Sequence, residues 1–143
     1  MRLLTIALTA ALAAMMVGCS STPTVSERRN VPPDRILAEE LLKPSAARTC
    51  RVTVTRDYDF AGSAGSFITS IDGEPFARLG TYETVTIYAM PGKHLVGAVP
   101  SWNPFGVSPV EQETFLTASQ PTSMHVTVKN GVITLQPSSE RLF

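Results

Sequence analysis

The chain is poor in the side chains that build most chemical sites: two cysteines, two histidines and one tryptophan in 143 residues. So few cysteines exclude a disulfide framework, and Cys19 and Cys50 stand in none of the short spacings that hold zinc. Net charge is lacking too, with 12 basic and 12 acidic residues, which argues against nucleic acid as a partner. No apolar run reaches the ~18 residues of a membrane-crossing helix. The apolar-rich N-terminal stretch, residues 3–17, carries no charge, contains Thr5 and Thr9 and is followed by Gly18-Cys19. There is no internal repeat, no G-x-S-x-G nucleophile turn and no phosphate-cradling glycine loop, so no small-molecule substrate or cofactor is indicated. Length allows one domain with a real core.

What is present begins with an address. Arg2, the uncharged residues 3–17 and the polar Ser20-Ser21-Thr22 match the basic region, apolar run and boundary of a secretory signal. Its last residues, Met16-Val17-Gly18-Cys19, resemble the lipobox of bacterial lipoproteins, with Met16 where that family usually carries Leu. The resemblance implies cleavage between Gly18 and Cys19, a diacylglyceryl thioether on Cys19, and acylation of the new amino group, palmitate being a typical chain. One acyl chain holds a protein only marginally, whereas two or three on one residue anchor it stably. Ser20 is similar to the residue that follows the cysteine in lipoproteins sent to the outer membrane. The expected location is therefore that membrane, lipid-anchored and facing the periplasm.

Four segments are expected: a signal over residues 1–18, a lipidated N-terminus and flexible linker over 19–33, a short helix over 34–46, and a β domain over 47–143. Residues 20–33 are rich in Ser, Thr and Pro and show no periodicity. Asp34 follows two prolines as a candidate N-cap, and Ile36, Leu37 and Leu41 share one helical face before Pro44 stops the run. From Cys50 the apolar period becomes two. Cys50, Val52 and Val54 alternate with polar residues, as do Val85, Ile87 and Ala89, and Met124, Val126 and Val128. Asp72-Gly73, Pro91-Gly92 and Asn130-Gly131 supply turns between such runs. These signals predict a mainly β fold, an antiparallel β-sandwich or compact meander of about eight short strands. Cys50 is expected inside as a small apolar residue, without a disulfide, and His125 is expected to face solvent because it alternates with Met124 and Val126.

Two loops break the regularity. Residues 57–65, DYDFAGSAG, are small and glycine-rich after two aromatics; residues 99–110, VPSWNPFGVSPV, carry Trp102 and Phe105 among three prolines. Loops held by a rigid sheet often carry function, so Trp102 and Phe105 are the candidate partner-binding loop. The competing expectation is that they fold back and cap the core. Asp57 and Asp59 read as solvated turn residues, since Gly62 and Ser63 do not complete a calcium loop. His94, His125 and Cys50 are the only residues on which an envelope enzyme or metal carrier could rest, and they fall on separate expected strands.

Residues 52–99, with Gly62-Ser63, Ile71-Asp72-Gly73, Leu79-Gly80, Val85-Thr86-Ile87-Tyr88 and Met90-Pro91-Gly92-Lys93-His94, resemble a family of small bacterial lipoproteins. That family pairs a D-G hairpin with a P-x-G-x-H hairpin, and its second half is similar to PEGA-type β modules. The resemblance implies a surface or envelope-binding β module and brings no catalytic residue. The function expected is a lipid-anchored envelope lipoprotein presenting a non-catalytic β domain to an envelope-protein or cell-wall partner. The alternatives are the enzyme or metal carrier just named, and an accessory subunit of a larger envelope or secretion assembly.

Overall fold

The computed structural model describes residues 27–58 and 65–138. The expected signal, Gly18 and Cys19, with Asp59, Gly62 and Ser63 of the glycine-rich loop, lie outside those residues. The described chain is mainly β, with nine strands in two sheets. They are β1 Arg29–Asn30, β2 Cys50–Arg56, β3 Phe67–Ile71, β4 Glu74–Leu79, β5 Glu83–Ala89, β6 Gly92–Pro100, β7 Val110–Leu116, β8 Thr122–Lys129 and β9 Val132–Pro137. One sheet has the order β1-β5-β2-β8-β9 and the other β4-β3-β6-β7.

The alternating residues turn one face of each sheet inward, and the two faces share one core. Val52, Val54, Ile87, Met124 and Val126 come from the first sheet; Phe76, Leu79, Val96 and Leu116 come from the second, all of them sealed from solvent. A fully buried side chain of this size contributes about 1.5–3 kcal/mol relative to exposure, so the core is the main stabilising term. Cys50 lies inside it as a free thiol.

Two turns fold as their residues dictate. Asp72 and Gly73 have φ of 50° and 81°, and Asn130 and Gly131 have 52° and 75°, the left-handed pairs that a two-residue hairpin requires. They join β3 to β4 and β8 to β9. Pro91-Gly92 does something else: it carries the chain from β5 in one sheet to β6 in the other, so the hairpin expected there is a sheet-to-sheet crossing. Nor are all ladders antiparallel. β2 pairs β8 in parallel, Val54 opposite Met124 and Thr55 opposite His125, because β8 enters the first sheet from β7 of the second.

The expected helix is replaced by two 3-10 turns, Pro33–Arg35 and Glu39–Leu42. Between them Leu37 N–H donates to the Phe76 carbonyl (2.9 Å) and Ile36 bridges Ala77, so the chain runs along the edge of β4. A helix this short has almost no stability of its own, and pairing with a sheet edge outcompetes it. The linker also ends earlier than residue 33: β1 pairs β5 in parallel, and Val31 is buried. Pro33 then stops the ladder, having no N–H to donate. Among the described residues no helix is long and apolar enough to cross a membrane.

Candidate functional surface

Strands β6 and β7 form a hairpin whose long connection, residues 101–109, stands out from one end of the sandwich. Its base is fixed: Ser101 N–H donates to the Ser66 carbonyl (2.9 Å) and the Ser66 hydroxyl donates to Ser101 Oγ (2.8 Å). Its tip is fixed by one side chain. Asn103 Nδ2 donates to the Val107 carbonyl (2.8 Å), Val107 N–H donates to Asn103 Oδ1 (2.7 Å), and Gly106 N–H donates to the Asn103 carbonyl (3.2 Å). The turn needs a left-handed residue at Gly106, φ 62°, which glycine takes without steric cost. The clip leaves Trp102 79% and Phe105 89% exposed, with Val107 about half exposed. They do not fold back onto the core. Two fully displayed large aromatics on an ordered turn make this loop the candidate binding surface, since unpartnered apolar side chains of this size are otherwise a liability.

Behind the loop, the same end is organised by Arg56, 2% exposed. Its guanidinium lies 4.7 Å from the centroid of the Phe67 ring and donates to the carbonyls of Gly65 and Leu79, tying the starts and ends of three strands together. Tyr58 and Tyr82 stack nearby, ring centroids 5.5 Å apart at 12°.

The histidines and Cys50 are not brought together. His94 Nδ1 lies 2.6 Å from Asp72 Oδ2 and its Nε2 lies 2.8 Å from the Met90 carbonyl oxygen. Both partners are acceptors, so the ring makes both bonds only when both nitrogens carry hydrogen. Asp72 also accepts Leu95 N–H (2.9 Å). Partial burial pushes its carboxyl up, but the hydrogen bonds from Leu95 and His94 and the attraction of a positively charged His94 ring outweigh it, leaving Asp72 below the ordinary 3.8. This pair is a structural lock between the β3–β4 hairpin and the β5–β6 crossing.

His125 departs from expectation. It faces away from the core, yet it is 7% exposed, and its Nδ1 lies 2.7 Å from Oδ1 of Asp57, also 7% exposed. Thr55 and Ser123, on the same face, are buried as well. Asp57 is therefore no solvated turn residue, and the centre of the outward face of the first sheet, on β2 and β8, is a buried polar patch. Threonine hydroxyls pair across it, Thr53 with Thr86 (2.9 Å) and Thr55 with Thr84 (3.0 Å). Sequence reasoning missed the Asp57–His125 pair because its members are 68 residues apart and meet only through the β2–β8 ladder. Among the described residues no three His, Cys, Asp or Glu side chains form a metal-holding group.

A cavity of about 550 Å³ lies beside β5 where β1 stops, lined by Val31, Pro33, Ile36, Leu42, Thr84 and Thr86 with Glu39, Glu40 and Lys43 at hand. No family model, curated protein or solved structure matches the chain.

Proposed function

We propose that the protein is a lipid-anchored cell-envelope lipoprotein whose β domain binds rather than catalyses, working from the outer membrane toward the periplasm. The observation that carries the binding role is the exposure of Trp102 and Phe105 on a turn clipped by Asn103. The address rests on Met16-Val17-Gly18-Cys19 and the uncharged run before it. In this reading acyl chains on Cys19 hold the chain to the bilayer, and the loop meets an envelope component. The rival reading, an enzyme or metal carrier, would have to use His94 or His125, each paired with its own aspartate, or Cys50, which lies in the core. Docking on a larger envelope assembly remains a version of the binding role and would use the same loop.

Growth with labelled palmitate, followed by membrane fractionation and N-terminal mass analysis, tests the address. Wild type is expected to begin at an acylated Cys19 and to fractionate with outer membrane, and Cys19→Ala to take up no label. An unmodified Cys19 thiol, or a mature chain that begins elsewhere, would overturn the proposal.

A further inference from the structure

The topology puts the aromatic loop and the N-terminal entry at one end of the sandwich. β2 ends at Arg56, and β5, antiparallel to it, starts beside that residue at Glu83. β1 runs parallel to β5 with Arg29 opposite Glu83, so the chain enters the domain at this end. In the other sheet, the start of β3 at Phe67 is opposite both Leu79, the end of β4, and Pro100, the end of β6. The loop 101–109 follows Pro100 directly. Two contacts confirm the placement: an Arg29 guanidinium N–H donates to the Thr81 carbonyl (3.2 Å), and Ser101 is bonded to Ser66.

From these observations we infer that the loop's partner is the bilayer itself: Trp102 and Phe105 seat in the headgroup region of the membrane that holds Cys19, turning this end of the domain toward it. The inference rests on the anchoring proposed above. Only nine residues lie between Cys19 and Arg29, and these ten Cα–Cα steps reach at most about 35 Å when fully extended. An anchor that short keeps the entry end close to the lipid and gives the loop a high local concentration of bilayer surface.

The chemistry of the tip suits that medium. From Leu95 to Val110 the chain carries no charged residue, so nothing at the tip opposes dehydration. Trp is favoured at membrane interfaces, where its apolar ring and N–H are both accommodated. Asn103 pairs both the N–H and the carbonyl of Val107, which spares those groups the cost of entering lipid unpaired. Because the turn is already ordered, seating it costs little conformational entropy. Arg29, exposed at the same end, lies where lipid phosphates would meet it.

Trp102 is the sole tryptophan, so its fluorescence reports the loop alone. Acylated full-length protein is purified and reconstituted into vesicles of phosphatidylethanolamine and phosphatidylglycerol, with and without brominated acyl chains. The expected result is blue-shifted emission quenched by the brominated chains, and quenching at least about twofold weaker in Phe105→Ser. Co-flotation with vesicles while Trp102 emits as in water overturns the inference and leaves the anchor standing. Blue-shifted emission that brominated lipid fails to quench also overturns it, assigning the loop to a protein surface. Equal quenching in Phe105→Ser overturns the seating role of the aromatics. Protein that carries no acyl chains and does not co-float removes the anchor, and the inference with it.

Discussion

The two ends of the sandwich solve the same problem with opposite results. Each must hold connections between sheets, and each does so with side chains bonded to backbone. At the end away from the chain's entry, Asp72 and His94 join the β3–β4 hairpin to the β5–β6 crossing through three hydrogen bonds, one to each other and one each to the backbone at Leu95 and Met90. At the entry end, Arg56 is the buried tie, and the bonds around it support a turn that presents apolar rings to the outside. The first arrangement contributes stability and shows nothing to a partner. The second separates two roles, with Arg56 and the Ser66–Ser101 pair stabilising and Trp102 and Phe105 left exposed for the binding proposed above.

That contrast predicts unequal effects. Arg56→Ala removes the donor to two carbonyls and leaves a cavity under Phe67, and is expected to lower unfolding free energy by about 2–4 kcal/mol, read from urea melts. Asp72→Ala removes the acceptor for Leu95 N–H and for His94, at a cost of about 1–2 kcal/mol in the same assay. Acid tests the same lock without mutation. A carboxylate depressed below 3.8 in the folded state contributes its stability in full above 3.8 and loses it as pH falls through the lower folded value. Thermal melts across that window should therefore fall further for wild type than for Asp72→Ala. Because the group is half exposed, the difference is small. Smallest of all, Trp102→Ser and Phe105→Ser are expected to change stability by less than about 0.5 kcal/mol while removing loop-dependent binding. A loss as large as that of Arg56→Ala would place those rings in the core and end the comparison.

Much of this was legible residue by residue. Val52 and Val54, Val85 and Ile87, and Met124 and Val126 announce inward faces by parity, and Asp72-Gly73 and Asn130-Gly131 announce hairpins by their need for positive φ. His125 shows where parity stops. It correctly assigns the residue to the face opposite Met124 and Val126, but whether that face meets water depends on what lies over it. Residues 34–43 carry a helical spacing, and the edge of β4 claims Ile36 and Leu37 instead. Trp102 and Phe105 were visible as candidates, while their outward direction came from the Asn103–Val107 clip.

The amino-acid order alone determined the period of the strands, the tight turns, the burial of Cys50 and the motif at Cys19, because each depends on neighbours within a few positions. The tertiary structure alone decided the β2–β8 parallel pairing, the meeting of Asp57 with His125, and the sharing of one end by Arg29 and the Trp102 loop. Those depend on which sheet each strand joins and in which direction, and alternation of apolar and polar residues reads the same in either.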